Sequence, residues 1–140
     1  MGKILVPTDG SKPAMKALAF AIENAKVFGD EVLLINVQPN YETTNVKRFV
    51  SAQQIREYSD DLATEALKDS IHAVTESQLP FQVLKKVGNA AMMICDEAKQ
   101  SGARCIVMGS RGNGPIVGKI IGSVSYSVLH HAPCPVIIVP

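Results

Sequence analysis

The chain is 140 residues long, 46% hydrophobic and 19% charged, with a formal net charge of +1 and a pI of about 7.7. That length suits one domain able to bury roughly two thirds of its unfolded surface, and the composition excludes a disordered chain. A near-neutral balance with scattered basic residues, the densest being Lys47-Arg48 and Lys85-Lys86, gives no electrostatic footprint for nucleic acid or an acidic membrane.

The opening KILVP is a short apolar run and reads as a strand rather than a signal peptide; Val6 stands where a myristoylation signal places Ser or Thr. PTDGS follows. Ser11 is placed to cap a helix with Ala14, Leu18, Ile22 and Ala25 on one face, and Gly29 suits its left-handed C-terminal position. EVLLINV, residues 31–37, is a second strand. Residues 38–51 show no clear period and read as a loop or helix lead-in. Ile55, Leu62, Ala66, Ile71 and Val74 then mark the apolar side of a long amphipathic helix.

FQVLKKV, 81–87, is a third strand. Asn89 can cap a helix with Ile94, Cys95 and Ala98 inward, which Gly102 ends. RCIVMG, 104–109, is a fourth strand; a helix is expected from about 119 to 130, and PVIIV, 135–139, is the fifth strand. The first, second and fifth strands are nearly continuous apolar runs, as in strands covered on both faces. Strand–helix alternation predicts an α/β fold, a single-domain doubly wound parallel sheet with right-handed crossovers. No apolar run approaches bilayer length, no internal repeat appears, and three cysteines without CxxC spacing fit a reduced, cytoplasmic protein.

Ligands of open α/β sheets bind beyond the carboxyl ends of the strands. There the chain carries GSRGNGPIVGKIIGS, from Gly109 to Ser123. A Walker A loop would need Gly at Asn113 and a hydroxyl at Ile120; a dinucleotide fingerprint fails because Gly112, Gly114 and Gly118 are spaced one residue too widely. Gly109 and Gly112 are expected to allow positive φ and close approach of a phosphate, and Gly122-Ser123 to present amides where a helix resumes. The stretch thus reads as two phosphate contacts joined by a bridging segment. Asp9 is read either as an Asx turn or as a ligand-side carboxylate. Arg111 and Lys119 flank the loop and could neutralise phosphate charge, or remain solvated.

Other groups lack a working arrangement. His130 and His131 are adjacent, point about 100° apart on a helix and suit its C-terminus. His72 falls on the polar side of the long helix, Cys134 reads as a structural thiol, and Asp60-Asp61 and Asp96-Glu97 sit on helix surfaces.

Gly109-x-x-Gly112, nine residues, then Gly122-Ser123 resembles the universal stress protein pattern G-x2-G-x9-G-[S/T], which marks ATP binding in that family. ILVPTDGS, GNAAMMICDEAKQSGARCIVMGSRG and GSVSYSVLHHAPCPVIIV extend the resemblance over the whole chain, 1–140. The resemblance implies strand order 3-2-1-4-5 and a homodimer paired through the C-terminal strand that begins at Pro135 and ends at Val139. A bare apolar edge strand gives that pairing a physical motive. It places adenine by Pro7, Thr8 and Val37, and gives Asp9 a contact to ribose or to Mg2+ or Mn2+ carried by the nucleotide. Met108, Gly109, Arg111 and Gly112 become the loop contacts, and Gly122, Ser123, Val124 and Ser125 the phosphate contacts. Gly114, Pro115 and Gly118 depart from the family's usual bridging segment and leave the helix start, and the direction of Lys119, open.

The expected function is an ATP-binding dimeric stress-response protein with slow or no turnover, acting on its own conformation or on a protein partner, with ATP, ADP or AMP as ligand. One alternative is a structural dimer that binds no nucleotide. Another is an adenylate-forming or ATP-hydrolysing enzyme, for which PTDGSKPA carries neither a Ser-Gly-Gly-x-Asp-Ser loop nor a His-x-Gly-His motif.

Overall fold

The computed structural model describes residues 1–112 and 121–140. Five parallel strands lie in the order β3-β2-β1-β4-β5: β1 (Lys3–Pro7), β2 (Glu31–Gln38), β3 (Phe81–Val87), β4 (Cys105–Gly109) and β5 (Val136–Val139). Helices α1 (Lys12–Phe28), α2 (Thr44–Lys47), α3 (Ala52–Glu76), α4 (Ala90–Ser101) and α5 (Ser123–His131) connect them.

Side-chain alternation divides the core into two layers. Ile4, Val6, Val32, Leu34 and Val107 face α1 and α3, where Leu18, Ala21, Leu67 and Val74 meet them. Leu5, Leu33, Ile35, Ile106 and Met108 face the other way, against Ala91, Ile94 and Ala98 of α4 and Val128 of α5. Each fully buried Leu, Ile or Val contributes on the order of 1.5–3 kcal/mol through removal from water. This double covering explains the unbroken apolar runs of β1 and β2. Among the described residues strand β5 has one neighbour, β4, and all four of its residues are half-buried.

The helix ends obey local capping chemistry. The Ser11 and Asn89 side chains accept from the N–H groups of Ala14 and Met92, and Gly29 and Gly102 close α1 and α4 in the left-handed region. Ser51 and Gln54 form a capping box that starts α3. Within 38–51, Thr43 caps the short helix α2.

Two expectations need correction. The buried stripe of α3 runs through Ile55, Ser59, Ala63, Leu67, Ser70 and Val74, so Leu62, Ala66 and Ile71 flank it half-buried. Leu67 and Val74 carry this stripe onto the sheet, while Ser59 and Ser70 within it hide it from a purely apolar pattern. The last helix begins at Ser123, with Gly122 as its N-cap, while Lys119 and the bridging segment lie outside the described residues.

At the amino ends of the strands, the Arg104 guanidinium donates to Asp30 from Nε at 2.6 Å and from Nη2 at 3.1 Å. The Gly2 amide donates to the same carboxylate at 3.0 Å, and Arg104 stacks over the Phe28 ring at 4.8 Å. This knot ties together the residues that precede β1, β2 and β4. It stands at the end of the sheet opposite the glycine loop.

Candidate functional site

Strand β1 is central, with β2 and β4 on either side, so the chain crosses from one side of it to the other at its carboxyl end. A cleft opens there, with a cavity volume of about 230 Å³. The loop after β1 forms one wall. Asp9 Oδ1 accepts from the Ser11 amide at 3.0 Å, which is the Asx turn leading into α1. Thr8 Oγ1 shares a hydrogen bond with Ser70 of α3 at 3.0 Å and accepts from the Gly10 amide at 3.2 Å. Gly10 has φ +80°, and a Cβ there would stand 2.9 Å from the Ala66 carbonyl oxygen. The turn is therefore held close against α3 by the absence of a side chain.

Beside it, the buried Asn36 of β2 donates from Nδ2 to the Thr8 carbonyl at 2.8 Å. Its Oδ1 accepts from Gln38 Nε2 at 2.9 Å, and Tyr41 donates to Gln38 Oε1 at 3.4 Å. The neighbouring β2 residues Ile35 and Val37 turn toward the α4 layer with Met108, giving the cleft an apolar floor.

The loop after β4 forms the facing wall. Its first two glycines sit at close approaches rather than at the expected left-handed turns. Neither Gly109 nor Gly112 adopts positive φ. A Cβ on Gly109 would lie 2.9 Å from the Pro13 carbonyl carbon, and one on Gly112 would collide with Oδ2 of Asp9. Both are close-approach glycines, set by α1 and by the loop after β1. The Gly122 amide donates to the Ser110 carbonyl at 2.6 Å, which brings the start of α5 back to the end of β4.

Helices α1, α3 and α4 carry side-chain caps, whereas the glycine cap of α5 gives no side-chain hydrogen bond. The first-turn amides at this end carry the partial positive charge of the helix dipole, and Val124 and Ser125 line the cleft. The Ser125 hydroxyl itself donates to the Gly109 carbonyl at 2.9 Å, so its proton serves the loop.

Ten of the twelve expected site residues line this cleft: Pro7, Thr8, Asp9, Val37, Met108, Gly109, Arg111, Gly112, Val124 and Ser125. Gly122 and Ser123 are not among its lining residues; they stand at the helix start behind it. Sequence reasoning missed Ala14, Ile35, Asn36, Ala90 and Ile94. Asn36 had a usable signal, because it interrupts an otherwise apolar run from Val32 to Val37. Among the described residues no cluster of three or more His, Cys, Asp or Glu side chains is arranged to hold a metal ion, and no helix is long and apolar enough to cross a membrane.

Fold and cleft together define a doubly wound α/β protein with a cleft at the reversal point of its parallel sheet. The model of the universal stress protein family matches residues 1–140. A universal stress protein of Bacillus subtilis is 31% identical over 144 aligned residues, covering 98% of this chain and 97% of that protein. The chain belongs to the universal stress protein family. The solved structure of universal stress protein UspA from Lactobacillus plantarum superposes with a TM-score of 0.81 at 28% identity, covering 99% of this chain and 97% of that one. A universal stress protein from Archaeoglobus fulgidus, solved in complex with dAMP, shares the fold with a TM-score of 0.75 at 24% identity and covers 100% of this chain and 98% of that one. A family member from Arabidopsis thaliana, solved with AMP bound, shares it with a TM-score of 0.71 at 22% identity, covering 99% and 91%.

Proposed function

We propose that this chain is a cytoplasmic, adenine-nucleotide-binding stress protein that takes ATP with slow or no turnover and acts as a homodimer. The observation that carries the reading is the pairing of an apolar floor with an uncapped helix start in one cleft. Ile35, Val37, Ile94 and Met108 offer a flat base a dry surface, while the first-turn amides of α5 and Arg111 answer phosphate charge. The dAMP and AMP complexes of proteins with this fold support an adenine nucleotide as the ligand class. Extension to ATP rests on the spacing of Gly109, Gly112 and Gly122, which provides for more than one phosphate.

Among the described residues, Asp9 is the single acidic residue of the cleft wall. One carboxylate makes a poor cage for Mg2+ or Mn2+, so a divalent cation fits here as one carried in by the phosphates. The homodimer rests on β5, whose outer edge has no partner strand among the described residues.

The test is direct. Freshly purified protein is denatured and any released nucleotide is identified by mass spectrometry; ATP is then titrated calorimetrically into emptied wild type and into Ala90→Leu, which narrows the cleft from α4. Binding by wild type with loss in the variant is expected. Absence of carried nucleotide and of ATP binding in wild type would replace this reading with a structural dimer, and steady product formation would replace it with an enzyme.

A further inference from the structure

A second and larger cavity, of about 390 Å³, opens on the α3 side of the sheet. Ile55, Ser59 and Ala63 form one wall, spaced every fourth residue along α3. The carboxyl end of β3, at Lys85 and Val87, and the loop carrying Tyr41 form the others. None of these residues lines the nucleotide cleft.

Ser59 sets this cavity apart from a surface dent. The residue is only 7% exposed, and its hydroxyl has no hydrogen-bond partner among the described residues. Other hydroxyls on the same helix are satisfied. Thr64 and Thr75 donate to the carbonyls of Asp60 and Ile71, and Ser70 pairs with Thr8. No side-chain nitrogen or oxygen among the described residues is sealed from solvent without a partner, so this hydroxyl opens into the cavity and is met by whatever occupies it.

The charges around the hydroxyl narrow the choice. Lys85 Nζ is engaged by Asp60 Oδ1 at 3.0 Å and by Thr64 Oγ1 at 2.9 Å. Arg56, one turn before Ser59 on the same side of α3, has no ion pair among the described residues. A guanidinium next to a hydroxyl donor suits a carboxylate. Glu42 stands in the same wall without a cation partner among the described residues and would repel a polyanion. Ile55, Ala63, Val87 and the Tyr41 ring offer an apolar seat for the remainder of the ligand.

We infer that the cavity between α3 and the β3 edge is a second small-molecule site, selective for a monocarboxylate with an aromatic or branched aliphatic body. Arg56 and Ser59 hold the carboxylate, and Ile55, Ala63 and Tyr41 hold the body. This site is independent of whether ATP fills the other cleft.

The probes are benzoate, 3-phenylpropionate and 4-methylpentanoate, each paired with its neutral primary amide, titrated into 15N-labelled full-length protein. Amide resonances of Tyr41, Ser59 and Ala63 report on the cavity; those of Thr8 and Met108 report on the nucleotide cleft. At least one carboxylate is expected to shift the first set saturably, with its amide binding about tenfold more weakly. Arg56→Gln and Ser59→Ala should each weaken that binding by about three- to tenfold while leaving the rest of the spectrum in place. Arg56 is exposed and the Ser59 hydroxyl has no partner to lose among the described residues, so both variants are expected to fold. Equal binding of acid and amide, shifts confined to the nucleotide cleft, or no saturable shift with any of the three acids would overturn the inference.

Discussion

A methyl group on Gly112 would overlap Oδ2 of Asp9, the far end of a rotatable side chain, so the loops after β1 and β4 meet through this carboxylate. Gly112→Ala should push Asp9 off its bond to the Ser11 amide, at a cost of about 1 kcal/mol, and weaken ATP binding by about tenfold. In an Asp9→Ala background the collision is gone, and the stability cost of Gly112→Ala should vanish. Denaturant midpoints of the four proteins check this; strict additivity would contradict the contact.

Gly10 and Gly29 both occupy the left-handed region, at φ +80° and +70°, yet only Gly10 faces an obstacle. Gly29→Ala meets nothing within 4 Å and should cost roughly 1–2 kcal/mol for conformation alone. Gly10→Ala adds an encounter with the Ala66 carbonyl and should cost clearly more. Urea unfolding of the pair measures the difference, and equal losses would show that the turn does not press against α3.

Asp30 is fully buried, and the Arg104 hydrogen bonds hold its carboxyl below the usual carboxylate range, with burial opposing the shift. The folded chain therefore binds this proton less tightly than the unfolded chain. The contribution to stability is complete above the ordinary carboxylate range and fades as pH falls toward the lowered folded value. Asp30→Asn should be less stable than wild type at neutral pH, with the gap closing in acid. Unfolding midpoints across a pH series test this; a gap that widens on acidification would refute it.

Strand β5 offers a test of assembly. The carbonyls of Pro135 and Val139 bond inward to Ile106 and Ser110, so the alternation of a strand turns the N–H of Ile138 outward. Ile138→Pro removes an outward donor and none to β4, which an edge strand tolerates. Sedimentation velocity should find wild type dimeric and this variant monomeric with an unchanged fold. A wild-type monomer would remove the dimer from the proposal.

Features governed by near neighbours were legible in the sequence. Ser11, Asn89, Gly29 and Gly102 announce helix ends by bonds to their own turns, and continuous apolar strands announce a sheet covered on both sides. The strand order followed from the family resemblance. The reason for each cleft glycine was hidden, because Gly109 answers to Pro13 and Gly112 to Asp9, both about a hundred positions away in the chain. The face of α3 was misread for a related reason: Ser70 turns inward to meet Thr8, a polar partner that an apolar pattern passes over.

The hydrogen bonds that run from Tyr41 through Gln38 and Asn36 to the Thr8 carbonyl have a fixed polarity. A main-chain carbonyl cannot donate, so Asn36 must present its nitrogen there and its oxygen to Gln38. Gln38 in turn presents oxygen to the phenol, whose one proton is thereby spent. Toward the second cavity Tyr41 can then offer only lone pairs. Nitrogen or hydroxyl hydrogens on the body of a guest would find a mate at this oxygen, while a carbonyl in the same position would be repelled.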